Sequence, residues 1–159
     1  MREVILYSDG ASSGNPGPGG FGTILMSGSL VKEISEGYKL TTNNRMELMG
    51  VIRGLEALKK EGTTVKVFSD SKYVVDAINK GWVFEWEKKG FHKKSNPDLW
   101  MRLLKLIRKH NISFHWVKGH ANNPYNNRCD ELAVLAAKGR NLQDDTGYSG
   151  SKTGNGLFQ

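Results

Sequence analysis

Two short apolar runs, Val4 to Ser8 and Val65 to Ser69, each end on an aspartate, Asp9 and Asp70. Runs of this length and composition read as buried strands. If the two strands lie parallel in one sheet, both carboxylates fall at the same edge, where open α/β folds place their ligands. Taken singly, each acid has a plain structural explanation: Asp70 is placed to cap the following helix, and Asp9 to form a turn.

The rest of the chain supports a mixed sheet. A Gly/Ser/Asn/Pro-rich loop spans Gly10 to Gly20, and Phe21 to Met26 and Leu30 to Ile34 form a hairpin about Ser27-Gly28-Ser29. Thr41-Thr42-Asn43-Asn44 supplies caps for a helix from Arg45 to Lys60, ended by Gly62. Further helices are expected over Ser71 to Asn79, Pro97 to His110 and Pro124 to Lys138, with a last strand over Ile112 to Val117. Strands first, then helices alternating with strands, give an α/β fold with helices on the sheet faces. Gln143 to Gln159 holds almost no apolar side chains and is expected to be a flexible tail, leaving residues 1–142 as the domain.

Glu47 shares a helical stripe with Val51, Gly54 and Leu58, and Asp130 one with Ala133, Val134 and Ala137. A carboxylate beside a buried stripe needs partners, because desolvating it unpaired is costly; a capping role with Asn44 is the other use of Glu47. Asp9, Glu47, Asp70 and Asp130 would repel one another if they converged. Mg²⁺, which prefers carboxylate oxygens, waters and substrate phosphates, resolves that repulsion, with Mn²⁺ an alternative. No CxxC pair or HExxH is present to hold zinc. Gly17-Pro18-Gly19-Gly20-Phe21-Gly22 matches a dinucleotide fingerprint, but it runs into a β-type segment rather than a helix and is set aside.

The formal charge of +7 favours polyanionic partners, although a solvated basic surface would show the same number. No apolar run approaches the roughly 20 residues that cross a bilayer, so no membrane association is expected. The N-terminal apolar stretch is too short for a signal peptide. A single cysteine, Cys129, fits a reducing, cytoplasmic setting. A monomer is the default.

Read in order, the chain resembles the bacterial ribonuclease H family, type 1. The matching pieces are Tyr7-Ser8-Asp9-Gly10-Ala11 with Gly14-Asn15-Pro16-Gly17, Thr42-Asn43-Asn44-Arg45-Met46-Glu47-Leu48, and Ser69-Asp70-Ser71 with Tyr73-Val74. Asp98-Leu99-Trp100, Trp116-Val117-Lys118-Gly119-His120 and Asp130-Glu131-Leu132-Ala133 complete the set. The resemblance implies a five-stranded mixed sheet in the order 3-2-1-4-5, flanked by helices, with the first three strands antiparallel. It implies two Mg²⁺ ions on Asp9, Glu47, Asp70 and Asp130, and a mobile His120 assisting proton transfer or product release. It also implies an RNA/DNA hybrid as partner, cut in its RNA strand to leave 5′-phosphate and 3′-hydroxyl ends.

By the same resemblance the RNA 2′-hydroxyls meet the Gly10 to Asn15 loop, Asn43 and Glu47. The DNA strand meets Asn44, Trp82 and Trp100, with a phosphate held by Thr42 and Asn96. Residues 80–95 resemble the family's basic protrusion, in which Lys80, Lys88, Lys89, Lys93 and Lys94 outnumber Glu85 and Glu87. Packing is the expected use of Phe84 and Trp86. Leu40 replaces a frequent arginine, with Lys39 the nearest substitute charge, and Glu87 replaces a basic residue, which should soften the grip. Two rival functions stay open: a non-enzymatic nucleic-acid binding module whose acids merely cap helices, and a DNA-directed nuclease with the same fold and acids.

Overall fold

Strand β1, Glu3–Ser12, forms the centre of the sheet because both of its edges are paired. The computed structural model describes residues 3–148 of the chain. On one side of β1 lies antiparallel β2, Gly17–Ser27, followed by antiparallel β3, Leu30–Thr41. On the other side lie β4, Thr64–Ser69, and β5, Asn111–Trp116, both parallel to their neighbours. The order β3-β2-β1-β4-β5 is the one the family resemblance implies.

Five helices connect and cover this sheet: α1, Asn43–Glu56; α2, Lys72–Asn79; α3, Trp82–Lys88; α4, Pro97–Ile107; and α5, Pro124–Ala137. Neighbouring residues on a strand point to opposite faces, and β2 shows which helix lies where. Thr23 donates its hydroxyl to the Gly50 carbonyl of α1 at 2.7 Å. A side chain at adjacent Gly22 would instead run into Cys129 and Leu132 of α5. Thus α1 and α5 sandwich the antiparallel half of the sheet. The apolar core joins Leu6, Val65 and Val67 of the strands to Leu48 and Ile52 of α1 and Leu103 and Leu104 of α4. Among the described residues no helix is long and apolar enough to cross a membrane.

Several expected boundaries move. β1 continues past Asp9 and β2 begins at Gly17, so most of the expected Gly10 to Gly20 loop is strand. Low strand propensity is overridden there by pairing, with Gly10 opposite Phe21 and Gly19 opposite Tyr38. β3 runs to Thr41 rather than Ile34, α1 stops at Glu56 rather than Lys60, and the protrusion contains helix α3, which the mixed pattern concealed.

The tail boundary also needs correction. Gln143 donates its N–H to the Gly37 carbonyl and accepts from Lys39 N–H, both at 2.8 Å, and Asp145 is buried. Residues 143–148 are therefore docked on β3 and α1 through backbone pairing and charge, neither of which a count of apolar side chains registers. The rest of the expected tail, 149–159, lies outside the described residues.

Candidate active site

The parallel ladder between β1 and β4 ends at the pair Ser8 and Ser69, so Asp9 and Asp70 are the next residues on each chain. That places both acids at one sheet edge, although β1 itself runs on beside β2. Gly10 then lets α1 come in: a Cβ there would lie 2.5 Å from the Glu47 amide nitrogen. With no side chain between them, Asp9 and Glu47 converge. One oxygen from each of Asp9, Glu47 and Asp70 lies within 4.8 Å of the others. Asp130, half-buried on α5, is close enough for its charge to act on Asp9, but it stands outside that tight trio.

None of the acids is occupied as a helix cap. α1 is capped by Thr42, whose hydroxyl accepts from Arg45 N–H at 3.2 Å, and α2 by Ser71, which accepts from Val74 N–H at 3.3 Å. α5 is capped by Asn123. The structural explanations open to Asp70 and Glu47 are thereby removed.

The electrostatic cost is visible in the acids themselves. Burial, then the charges of Asp70 and Asp130, push the Asp9 carboxyl up to about 8, against a lowering hydrogen bond from Gly10 N–H. Burial, then Asp9 and Asp70, hold the Glu47 carboxyl well above the usual carboxylate range. Glu47 is 9 % exposed, and its Oε1 is buried without a hydrogen-bond partner. A buried acceptor left unsatisfied is expensive. An oxygen-rich trio with an orphaned acceptor fits a hard divalent cation.

Asp70 is held from two sides. Trp116 donates its indole N–H to the Asp70 carbonyl at 3.0 Å, and a Cβ on Gly119 would sit 2.6 Å from Asp70 Oδ2. The loop carrying His120 therefore passes against the acid. His120 itself is exposed with φ 53°, a left-handed turn residue.

Of the other residues expected to touch substrate, most are exposed. Asn15 Oδ1 accepts from Asn43 N–H at 3.1 Å and Ser12 donates to Asn43 Oδ1 at 3.3 Å, so the β1–β2 turn and the start of α1 form one surface. Asn44 is exposed and Gly10 is buried against α1. Trp82, 46 % exposed, lies under the Lys80 ammonium, and Lys88 and Lys89 are exposed on the protrusion.

Trp100 is a correction. It is 0 % exposed on the core face of α4, with Leu99, Leu103 and Leu104, so it cannot line an open channel. It packs edge-on to Trp86 and donates its indole N–H to the Tyr73 hydroxyl at 2.9 Å. Glu87 forms a paired bond with Arg108 at 2.8 and 2.6 Å, tying α3 to the end of α4. Trp86 and Phe84 pack on the core, as expected.

Sequence patterns alone do not show what holds these substrate-facing residues in place. Arg45, Asp98, Tyr73 and the Trp116–Asp70 bond all come from the motif pieces quoted above, yet only proximity reveals their roles.

A carboxylate cluster at the parallel edge of a sheet in this strand order defines a metal-dependent hydrolase of the ribonuclease H fold. The family model for RNase H matches residues 1–138, and the chain belongs to the ribonuclease H family, hydrolases of the RNA strand of RNA/DNA hybrids. It is 53% identical over 153 residues to Ribonuclease H of Syntrophus aciditrophicus (strain SB), covering 93% of this chain and 88% of that protein. Among solved structures, LC9-RNase H1, a type 1 RNase H with the type 2 active-site motif, superposes with a TM-score of 0.80 at 30% identity, covering 96% of this chain and 82% of that one. LC11-RNase H1, solved in complex with an RNA/DNA hybrid, gives 0.61 at 26% identity over 85% of this chain and 96% of its own.

Proposed function

We propose that this chain is an RNA/DNA-hybrid endonuclease working by two-metal catalysis at Asp9, Glu47, Asp70 and Asp130. The observation that carries the metal assignment is the partnerless Glu47 Oε1 inside the carboxylate trio. The finer parts of the reading are Mg²⁺ as the resident ion and 5′-phosphate and 3′-hydroxyl product ends. When bound, the pair of ions supplies an activated water and charge stabilisation for the leaving 3′ oxygen.

The chain's own residues do the rest. The Gly10 to Asn15 segment, which runs from the end of β1 into the β1–β2 turn, is tied to Asn43 through Ser12 and Asn15 and presents polar groups toward RNA 2′-hydroxyls. Asn44, Thr42 and Asn96 face the DNA strand, and His120, on the loop whose Gly119 lies against Asp70, assists proton transfer or product release. The binding-module alternative loses its support, since its acids do not cap.

The test is an end-labelled RNA/DNA hybrid with Mg²⁺, run beside RNA/RNA and DNA/DNA duplexes of the same sequence. Internal cuts confined to the hybrid's RNA strand and stopped by EDTA are expected. Binding without cutting would overturn the enzyme reading, and cuts in the DNA duplex would overturn the substrate.

Two further results are expected. Folded Asp9 holds a proton up to about 8, above the ordinary carboxylate value near 3.8, so the metal-free folded state binds more protons than the unfolded state between those values. Metal-free stability should therefore fall as pH rises from about 4 to 8. Mg²⁺ should raise the thermal midpoint at pH 8 and hardly at pH 5; an equal effect at both would count against the carboxylates as ligands. Replacing Lys88, Lys89 and Lys93 by alanine should reduce the salt dependence of hybrid KM, by roughly 1 log unit per log unit for each phosphate that goes unneutralised. An unchanged slope would remove the protrusion from the binding surface.

A further inference from the structure

The Arg45 guanidinium uses all five of its N–H donors within the fold. Nε and Nη2 reach the two oxygens of Asp145 at 2.7 and 2.9 Å, Nη1 and Nη2 reach those of Asp98 at 2.9 and 2.8 Å, and Nη1 also donates to Asn96 Oδ1 at 3.3 Å. Arg45 and Asp145 are 2 % and 3 % exposed. Asp145 accepts in addition from the buried Thr41 hydroxyl at 2.7 Å, one residue before the Thr42 cap. Tyr148 lies across the guanidinium at 5.9 Å, and a side chain at Gly147 would collide with Asp98 Oδ2.

Asn96 is the far end of this network. It sits in the left-handed region at φ 61° ahead of α4, and its side chain makes no bond to its own helix. Instead its amide is gripped across elements. Oδ1 takes the bond from Arg45 on α1, and Nδ2 donates at 3.0 Å to Tyr73 on α2, whose hydroxyl also accepts from Trp100. An amide can present either face; these two opposed bonds select one and aim the remaining Nδ2 hydrogen away from Tyr73.

We propose that residues 143–148 are a strap which, through Asp145 and Arg45, fixes the Asn96 amide and the Thr41–Thr42 corner at one spacing for a nucleic-acid phosphate. Arg45 and Asp145 are thus positioning residues for hybrid binding, and this rests on the hybrid-nuclease reading. With Leu40 bringing no charge to this corner, geometry carries more of the phosphate recognition than it would beside a free guanidinium.

The experiment measures steady-state cleavage of the hybrid by the full chain, its Asp145→Asn and Asn96→Ala variants, and the double variant, each well below its own thermal midpoint. Hybrid Kd is measured in parallel in an Asp70→Asn background. Asp145→Asn should raise KM and Kd about 5- to 10-fold, the scale of one net hydrogen bond, with kcat within about twofold. In the Asn96→Ala background the same change should cost clearly less than in the parent, because the part of its effect that runs through Arg45 to Asn96 is already gone and only the part through Thr41 remains.

Penalties that add, or an unchanged KM, would overturn the proposal and leave the strap a purely structural feature. If Asp145→Asn does not fold, Gly147→Ala, which pushes on the Asp98–Arg45 pair from the open side, is read by the same cycle. Wild-type protein that leaves the hybrid uncut would instead condemn the hybrid-nuclease reading, a result separable from either.

Discussion

Asp70→Asn should lower hybrid cleavage by about a thousandfold or more while leaving hybrid Kd within several-fold. The substitution is nearly isosteric, and the features that fix the position of Asp70 do not use its charge. Its carbonyl is held by Trp116, its flank is closed by Gly119, and the helix behind it is capped by Ser71. What disappears is one negative charge from the trio that a cation would need. The same loss removes a repulsion that raises both Asp9 and Glu47, so the metal-free variant should be at least as stable as the parent. Lower activity with equal or higher midpoint separates a metal ligand from a structural acid. Turnover close to that of the parent would sink the assignment.

That separation is partly legible in the sequence. Asp9 and Asp70 announce themselves because each follows a short apolar run, and a parallel pair of strands turns that into a shared edge. Glu47 and Asp130 emerge from the helical stripe, a periodicity that survives without any structure. Trp100 is misplaced by sequence reasoning for a physical reason: an indole in a nucleic-acid-binding protein can serve as a platform or as core, and the choice depends on which face of α4 meets α1. Glu87 reads as a weakened grip because its partner, Arg108, lies 21 residues away.

The 143–148 segment is illegible for a deeper reason. Composition measures how much apolar surface a segment can bury, and this one is held by two backbone bonds and an ion pair to a residue 100 positions earlier. Strand limits at Gly10 and Gly17 to Gly20 escape the sequence similarly, because pairing partners rather than local propensity decide them.

Arg45→Ala is expected to cost about 3 to 5 kcal/mol, the usual penalty for leaving a buried charge without its partner. For a chain of this size that lowers the thermal midpoint by roughly 6 to 20 °C. Asp145 would keep its Thr41 hydrogen bond and lose both of its Arg45 bonds, in a setting only 3 % exposed. Removing the stranded charge should therefore recover part of the loss, and the double variant Arg45→Ala with Asp145→Asn should be more stable than Arg45→Ala alone.

Acid offers an independent reading of the same network. Burial works to raise the Asp98 carboxyl, but hydrogen bonds and charge from Arg45 outweigh it and hold the group below the ordinary range. A lowered folded value contributes stability that is present above the unfolded value near 3.8 and is lost as pH falls through the folded one. The parent should thus lose this contribution below about pH 4, whereas Arg45→Ala, which keeps only the backbone N–H bonds at Asp98, has less to lose there. If the midpoints of the two proteins, measured from pH 7 down to pH 2, stay a constant distance apart, Arg45 does not act through Asp98. If the gap narrows on the acid side, the Arg45–Asp98 pair is a source of the stability, and the charge that positions Asn96 also ties α1 to α4.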